Sequence, residues 1–262
     1  MSASVRFTVF TKPWKMPLPE LGRLVKDLGF EGIELPVRPG FQVEPEHVTQ
    51  GLPEAARILA DCGLEIRSVA GPLEEKVFEA CGRVGVPVIR TLIGIPRGAG
   101  YLAVMDETLR RLDTLAPLAE RHGVTIGIQN HCHREISSVM GVHYLVRKYH
   151  PKHVGIVLDF GHCGLAGEQA DLALDVAWSH LCLVNLKNAC WKRTSGPEAE
   201  IAEFTPYWTT GRHGMANWPE VAAELTNRHY AGDVCLTAEY SDEKSVNRLI
   251  AEDFAFAKSL FH

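Results

Sequence analysis

Four oxygen-bearing side chains stand where apolar runs of the sequence end. Gln129 closes TIGIQ, Asp159 closes HVGIVLD, Asn185 lies near the end of HLCLVNL, and Glu239 follows DVCLTA. Carboxylate and amide oxygens are ligands for hard divalent cations, and a glutamate can also transfer a proton. If these runs are neighbouring strands of one sheet, their ends converge on one point. We therefore predict a catalytic or metal-binding site built from these four side chains.

Basic and imidazole side chains follow the same apolar runs. Lys187 comes two residues after Asn185, His162 three residues after Asp159, and His131 two residues after Gln129. A lysine is costly to bury unpaired, so Lys187 should either meet an acid or an anionic intermediate, or lie on an exposed rim. We predict that Lys187 acts in catalysis with Glu239, and that His131 touches the substrate. Each group could instead cap a helix or bind loop amides.

Aromatic and cationic residues suggest a surface for a sugar. A segment of about residues 190–216, rich in Gly, Pro, Ser and Thr, contains Trp191, Arg193 and Arg212, and Trp14 lies near the first β-rich run. Aromatic faces stack on sugar rings, and cationic side chains bind hydroxyl groups. We predict that this segment is a long functional loop and that these four residues bind substrate; the alternative is a lid that packs on itself.

Eight β-rich runs alternate with segments of helical periodicity, and this count decides the fold. The runs are poor in strict apolar–polar alternation, which is typical of parallel strands covered on both faces. Eight such units in 262 residues predict an α/β protein with a single (β/α)8 TIM-barrel domain over residues 1–262. A doubly wound nucleotide-binding sheet would need a glycine fingerprint after the first strand, but TVFTKPWK has no glycine. The predicted strands are residues 6–10, 32–36, 65–70, 87–94, 125–130, 153–159, 180–186 and 233–240.

The predicted helices follow these strands. The first contains Leu18, Leu21 and Val25 on one face and ends at Gly29. Later helices are expected at about residues 101–122, 139–149 and 168–178, and the terminal helix at 242–261 with Asp242 and Glu243 in its first turn.

Composition excludes several classes of protein. The net charge is -5 and no lysine–arginine run occurs, so nucleic acid is not an expected partner. No stretch approaches eighteen apolar residues, and the first residues do not resemble a signal peptide, so no membrane association is expected. The seven cysteines are scattered and never spaced as CxxC, which indicates reduced thiols and a cytoplasmic protein. A small, neutral or polar ligand is the expected partner, and a homo-oligomer is left open.

Several segments resemble a known family. "LVKDLGFEGIELP", "VLDFGH", "LVNLKN", "GRHGMANWPEVAAEL" and "LTAEY" occur in the order and spacing of the xylose isomerase-like TIM-barrel superfamily. That superfamily includes sugar isomerases, ketose 3-epimerases, inosose isomerases and dehydratases, with type IV endonucleases as distant members. The endonuclease alternative is disfavoured by the acidic charge and by too few clustered histidines.

The resemblance implies a metal site from which this chain departs. Family enzymes hold a divalent ion with Glu, Asp, His and Glu, and both glutamates transfer protons. Here the positions are Gln129, Asp159, Asn185 and Glu239, so only the second and fourth match. An all-oxygen set of lower charge would prefer Mn, Mg or Ca, and whether a metal binds is left open. Because an amide does not titrate, Gln129 cannot supply the second base.

These observations predict an isomerase-like or epimerase-like enzyme acting on a sugar or cyclic polyol that has a carbonyl group. Glu239 would abstract the proton next to the carbonyl, while Lys187, His162 or a bound cation stabilises the enediolate oxygen. One alternative is a dehydratase acting on a keto-sugar or inosose, which needs only one base. Another is a sugar-binding TIM barrel that has lost catalysis.

Overall fold

A closed barrel of eight parallel strands forms the centre of the molecule, as the sequence predicts. The computed structural model describes residues 5–261. Around the barrel the strands follow the order β1-β10-β7-β6-β5-β4-β3-β2, and β8 and β9 form a separate two-stranded sheet. The strands are β1 Arg6–Phe10, β2 Gly32–Pro36, β3 Glu65–Ala70, β4 Val88–Thr91, β5 Thr125–Gln129, β6 Val154–Asp159, β7 Leu181–Leu186, β8 Asn188–Arg193, β9 Phe204–Thr209 and β10 Asp233–Leu236.

Helices cover the outside of the barrel. They are α1 Leu18–Asp27, α2 Val48–Asp61, α3 Glu75–Val84, α4 Tyr101–His122, α5 Val139–Val146, α6 Phe160–Ala166, α7 Ala170–Ala177, α8 Trp218–Asn227 and α9 Val246–Leu260. The predicted stop after α1 is confirmed, because Gly29 adopts a left-handed φ of 94°. Among residues 5–261, no helix is both long enough and apolar enough to span a membrane.

One predicted helix needs correction, and one helix was not predicted. The terminal helix begins at Val246, so Asp242 and Glu243 precede it, and Glu243 lies in a short 3-10 turn. Helix α6, which starts directly after Asp159, was not predicted from the sequence. The Asp159 carboxylate accepts hydrogen bonds from the backbone N–H groups of Gly161 and His162 and thereby caps α6.

Two apolar layers hold the barrel. The larger fills the space between strands and helices and includes Ile33, Ile126 and Trp218. The smaller lies inside the barrel and is formed by Phe10, Ala70, Val88, Val157, Leu183 and Cys235. The inner layer closes the barrel below the ends of the strands, so any ligand must bind above it.

The segment predicted as a long loop is largely an antiparallel hairpin. β8 and β9 pair from Asn188↔Thr209 to Arg193↔Phe204, and Ala189 pairs with Trp208. The Gly and Ser residues that suggested a loop over the whole segment lie in the hairpin turn or after β9, whereas Pro206 lies within β9 and pairs with Trp191. The hairpin, rather than a flexible loop, therefore covers this side of the barrel mouth.

Asn188 fastens this hairpin to the barrel. Its side-chain amide donates hydrogen bonds to the carbonyl oxygens of Gly211 and Ala216, both at 2.9 Å. Its side-chain oxygen accepts hydrogen bonds from the backbone N–H groups of Ala189 at 3.0 Å and Ala216 at 2.9 Å. One buried side chain thus satisfies four backbone groups around the base of the hairpin.

Replacing Asn188 with alanine is expected to lower the free energy of unfolding by about 2 kcal/mol or more, because buried backbone groups lose their partners. Urea unfolding followed by circular dichroism measures the change. The exposed Asn227, at the end of α8, supplies the matched control: Asn227→Ala should alter stability by less than about 0.5 kcal/mol. Equal effects of the two substitutions would contradict the role assigned to Asn188.

Candidate active site

The alternation of side chains along the strands places polar groups directly above the inner apolar layer. Successive side chains of a strand point to opposite faces, so residues two apart share a face. Arg90, Asp159 and Asn185 each lie two residues after a member of the inner layer, and all three are buried. Asp159 and Asn185 are also register partners on β6 and β7. We call Glu34, Arg90, Gln129, Asp159 and Asn185 the polar layer.

Hydrogen bonds join the polar layer across the barrel. Nε of Arg90 donates to Oε1 of Glu34 at 2.7 Å, and Nη1 of Arg90 donates to Oε1 of Gln129. The amide nitrogen of Gln129 then donates to Oδ2 of Asp159 at 2.7 Å. The amide nitrogen of Asn185 lies 3.5 Å from the same Asp159 oxygen. The Gln129 amide thus connects the Arg90 guanidinium to the Asp159 carboxylate.

Asp159 is the most heavily bonded member of this layer. Its Oδ1 accepts the backbone N–H groups of Gly161 at 3.0 Å and His162 at 3.3 Å, while Oδ2 faces the two amides. Burial raises the pKa of Asp159, and the nearby charge of Lys187 acts in the opposite direction. Both carboxylate oxygens hold protein groups in place, so Asp159 acts on the site by positioning them.

Glu239 lies between two lysines. Nζ of Lys187 donates to Oε2 of Glu239 at 2.8 Å, and Nζ of Lys12 donates to Oε1. Burial alone would raise the pKa of Glu239, but Lys187 and Lys12 outweigh it and hold that pKa well below its usual range. Lys187 is buried, and Trp208 of β9 covers its ammonium with the ring centroid 3.8 Å away. Of the two environments predicted for Lys187, the structure shows the buried one, in which its ammonium pairs with Glu239 inside the barrel mouth.

His162 presents an unpartnered N–H group to the interior. Its Nδ1 accepts a hydrogen bond from the backbone N–H of Cys132 at 3.1 Å, so the neutral ring carries its proton on Nε2. This Nε2 is buried, lies 3.8 Å from Oδ2 of Asp159, and has no hydrogen-bond partner among the described residues. Burial, followed by the charge of Lys187, lowers the pKa of His162 well below its usual value. His162 is a neutral hydrogen-bond donor.

His131 lies against His162, with ring centroids 4.0 Å apart. Its Nδ1 is 3.0 Å from the carbonyl oxygen of Cys132 and 3.5 Å from Oε2 of Glu135. Burial lowers the pKa of His131, and the bond to the Cys132 carbonyl opposes this shift. The ring is half-buried, so its remaining edge can contact a ligand.

His131, Cys132 and His162 offer ligand atoms within 4.8 Å of one another, a spacing that a transition metal would accept. Two features argue against such a site. Nε2 of His162 carries a proton and has no lone pair to donate. Burial also raises the pKa of Cys132 to about 11, so the thiol stays protonated instead of becoming the thiolate that binds metals.

The predicted oxygen ligands are already used within the protein. The side-chain oxygen of Gln129 accepts from Arg90, and both oxygens of Glu239 accept from lysines. Asp159 accepts four hydrogen bonds, and only the side-chain oxygen of Asn185 is buried without a partner. A divalent cation would have to displace several of these donors and lie beside the charge of Lys187. This arrangement does not fit a metal centre.

Trp14, which we predicted to bind substrate, lies beside Glu239 at the barrel mouth. It lines a cleft of about 920 Å³ together with Lys12, Trp208 and Glu239. Its indole N–H donates to the side-chain oxygen of Asn247 at 2.7 Å, which fixes the ring as one wall of the cleft. Glu239 thus opens onto a space large enough for a sugar.

Three predicted binding residues have contacts elsewhere. The indole N–H of Trp191 donates to the carbonyl oxygen of Leu165 at 3.0 Å, and Arg193 binds Ser195 and Gly196 within the hairpin turn. The Arg212 guanidinium lies 3.7 Å from the centroid of the Phe256 ring. The structure does not bring Trp191, Arg193 and Arg212 to the cleft of Glu239.

Sequence reasoning missed two residues of the site. Lys12 lies two positions after β1, so a survey of strand ends that included the first strand could have found it. Trp208 reaches Lys187 only because β9 folds back along β8. No local signal distinguishes Trp208 from the neighbouring aromatic residues of that segment.

A model of the xylose isomerase-like TIM barrel family matches residues 23–260. The chain belongs to this family. Among curated protein sequences, none matches the chain significantly. The match covers β2–β10 and all the residues of the polar layer, so the family resemblance noted in the sequence is confirmed.

Solved structures of the same fold include several sugar enzymes. The D-psicose 3-epimerase of Clostridium cellulolyticum H10 has a TM-score of 0.75 at 14% identity, covering 98% of this chain and 100% of that one. The 3-keto-D-glucoside 4-epimerase of E. coli has a TM-score of 0.73 at 14% identity, covering 98% and 100%. The probable 3-DHS dehydratase of Bacillus anthracis has a TM-score of 0.75 at 16% identity, covering 97% and 99%. At such identities the likeness establishes the shared fold.

His162 is expected to remain neutral at pH 6.5, where about half of the histidines of an unfolded chain are protonated. Because the pKa is lower in the folded state, this group contributes stability above about pH 6.5 that is lost as the pH falls. Nitrogen-15 NMR of labelled histidine reports both the charge and the proton on Nε2. A protonated His162 ring at pH 6.5 would show that the assigned hydrogen bond is wrong.

Gln129→Glu would place a second carboxylate 2.7 Å from Asp159, where an amide N–H now donates. Two carboxylates at this distance cannot both ionise, so one acquires a raised pKa. The variant should therefore be less stable than the wild type at pH 8, with a smaller deficit at pH 5.5. Urea unfolding at both pH values measures the change.

Manganese provides a second measurement on the same variant. Adding Mn²⁺ should raise the melting temperature of Gln129→Glu, in which two adjacent carboxylates can share a cation, and leave the wild type unchanged. An equal increase in both proteins would mean that the wild-type side chains already form a metal site.

Proposed function

We propose that this protein is an isomerase or epimerase-like enzyme that removes a proton from the carbon next to a carbonyl group in a sugar or cyclic polyol. The observation that supports this most directly is the carboxylate of Glu239, held by Lys187 and Lys12 at the edge of a cleft of about 920 Å³. Family membership and the sugar epimerases that share the fold agree with this chemistry.

Glu239 would act as the base. Its lowered pKa keeps it ionised but makes it a weak base while both lysines bind it. When a substrate carbonyl oxygen accepts the hydrogen bond of Lys187, Glu239 loses one cationic partner and its basicity rises. The C–H bond then breaks and the proton moves to Glu239. The C–H electron pair forms a C=C bond, and the π pair of the carbonyl moves to its oxygen, which gives the enediolate. Binding of the substrate thus activates the base.

Lys187 and His162 would stabilise the enediolate oxygen. Lys187 supplies a fixed positive charge, and Nε2 of His162 supplies a neutral N–H that no described residue occupies. Such donors favour the transition state most when they are buried and already oriented, as both side chains are here. Return of the proton from Glu239 to the neighbouring carbon, with transfer of the hydroxyl proton of that carbon to the former carbonyl oxygen, gives isomerisation. Epimerisation would need a proton donor on the opposite face, and the Gln129 amide cannot supply it.

Substrate binding would involve the aromatic walls of the cleft. Trp14 and Trp208 line the same space as Glu239 and can stack on the apolar face of a sugar ring. His131 can bind a hydroxyl group from the side of His162. A small-molecule carbohydrate is therefore the proposed partner.

We further propose that this reaction needs no Mn, Mg or Ca ion at the predicted ligand set. Gln129, Asp159 and Glu239 already accept hydrogen bonds from cationic, amide or backbone donors. Lys187 lies where its charge acts on both Asp159 and Glu239. Lys187, in place of a metal ion, would supply the positive charge that stabilises the enediolate.

Two alternatives are supported by particular observations. A dehydratase is favoured by the single available carboxylate, since elimination of a β-hydroxyl needs only one base, and a probable dehydratase shares the fold. A sugar-binding protein without catalysis is favoured by the two lysines that reduce the basicity of Glu239. One exchange experiment separates all three functions.

The wild type is incubated in D2O with D-fructose, D-tagatose and an inosose, and proton NMR follows the carbons next to each carbonyl. Enzymatic deprotonation should exchange at least one C–H for deuterium, and elimination would also produce a new alkene-conjugated ketone. Glu239→Gln should reduce exchange about 100-fold or more, because it removes the base but keeps a hydrogen-bond acceptor. Pretreatment with EDTA should leave the wild-type rate unchanged.

Glu243 lines the same cleft and is exposed, so Glu243→Gln is the matched control and should retain the wild-type exchange rate. Circular dichroism verifies that both variants are folded. Wild-type exchange in Glu239→Gln would exclude Glu239 as the base. Stabilisation of the fold by one of these ligands without any exchange would support the binding protein.

A further inference from the structure

A second cleft opens beside the polar layer, on the side opposite β7 and β10. It has a volume of about 690 Å³ and lies between the segments that follow β2, β3 and β4. Its lining includes Arg38, Arg90 and Thr91. Because Arg90 belongs to the polar layer, this cleft reaches the barrel mouth.

Arg38 is a cation without a counterion. Its guanidinium forms no hydrogen bond and no ion pair with any residue in the range 5–261, although the side chain is only partly exposed. It lies 5.8 Å from the centroid of the Phe10 ring, and the Arg90 guanidinium lies 4.6 Å from the same ring. Two like charges are thus held against one aromatic ring.

Arg90 has its own partner, but one of its nitrogens is free. Nε binds Glu34 and Nη1 binds Gln129, while no described residue accepts a hydrogen bond from Nη2. Burial, followed by the charge of Arg90, lowers the pKa of Arg38, since nothing nearby fully offsets either effect. Natural proteins rarely leave a desolvated guanidinium without an acceptor unless a ligand supplies one.

The carboxylates on the rim of this cleft do not neutralise Arg38. Oε1 of Glu44 accepts the backbone N–H of Gly40 at 2.8 Å, and Glu74 pairs with Lys76 at 3.1 Å. Glu46 also lines the cleft, but it is exposed and forms no ion pair with Arg38. The acids whose charges act on Arg38 are instead Glu34 and Glu239, both groups of the barrel mouth. Because its guanidinium also lies near Phe10 of the inner apolar layer, Arg38 stands where the cleft meets the barrel mouth.

We propose that this cleft binds an anionic group of the substrate, a carboxylate or a phosphate, through Arg38 and the free Nη2 of Arg90. That the ligand is the substrate rests on the proposed function, while the anion site rests only on the unpaired guanidinium and its cleft. Guanidinium groups bind both anions with paired N–H donors, so Arg38 fits either one. The substrate is then an acidic or phosphorylated keto-sugar or keto-polyol.

This site would orient the substrate for proton removal. An anion at Arg38 fixes one end of the molecule at the β2–β4 side, and Lys187 and Glu239 act on the carbonyl region at the β7–β10 side. The binding energy of the anionic group then restricts the reacting carbon to the neighbourhood of Glu239.

Three ketoses that differ in one substituent test the inference by isothermal titration calorimetry: D-fructose, D-fructose 6-phosphate and D-fructuronate. At least one charged ketose should bind the wild type roughly tenfold or more tightly than fructose, because a charged hydrogen bond is lost in the neutral sugar. Preference for phosphate or for carboxylate identifies which anion the site accepts.

Arg38→Gln should abolish the preference for the charged ketose and leave the affinity for fructose unchanged, and Arg38→Lys should retain part of the preference. Arg110 is exposed on α4 and pairs with Glu107, so Arg110→Gln removes the same charge at a distance and should keep the full preference. The inference is wrong if neither charged ketose binds more tightly than fructose, or if Arg38→Gln preserves the preference.

The calorimetric and deuterium-exchange results are independent. Anion-dependent binding without exchange would retain the Arg38 site and overturn the proposed enzyme. Exchange into D-fructose without any gain from a charged group would retain the enzyme and overturn the Arg38 site.

Discussion

The amide of Gln129 is the contact on which the polar layer depends. An amide has an acceptor at one end and donors at the other, so Gln129 can accept from Arg90 and donate to Asp159 at the same time. A carboxylate could satisfy the arginine but would repel the aspartate unless a proton or a cation lay between them. In this chain the charges of the acids at the barrel mouth are therefore compensated by protein donors.

The acids on the two sides of the barrel mouth have different hydrogen-bond partners. On the β2–β6 side, the acids Glu34 and Asp159 are bound to protein groups and hold the strand ends together. On the β7–β10 side, Glu239 is bound to lysine ammonium groups, whose hydrogen bonds can pass to a ligand without breaking the fold. The contacts that support the strand ends and the contacts that a ligand can replace thus lie on separate strands, and the proposed base remains close to a buried ionic network.

The fold and the strand-end residues could be predicted because they depend on local patterns. Apolar runs give the strands, and the period of two along each run determines that Asp159 and Asn185 face inward. The bonding of these side chains could not be predicted, because it depends on which atom of the Gln129 amide faces which neighbour. Lys12 and Trp208 reach Lys187 and Glu239 from distant parts of the chain. Their positions follow from barrel closure and from the β8–β9 hairpin, which no short segment of sequence specifies.

The hairpin also affects how a ligand can enter. Asn188 anchors it to the barrel, and Trp208, at the same end of the hairpin, forms two hydrogen bonds with Ser241. The backbone N–H of Trp208 donates to the Ser241 hydroxyl oxygen at 2.9 Å, and the carbonyl oxygen of Trp208 accepts the backbone N–H of Ser241 at 3.0 Å. Because Ser241 follows Glu239 by two residues, these hydrogen bonds join β9 to the segment that carries Glu239. The cleft beside Glu239 is lined by Lys12 and Trp14, so a ligand can reach the carboxylate from that side while β9 keeps its hydrogen bonds to Ser241.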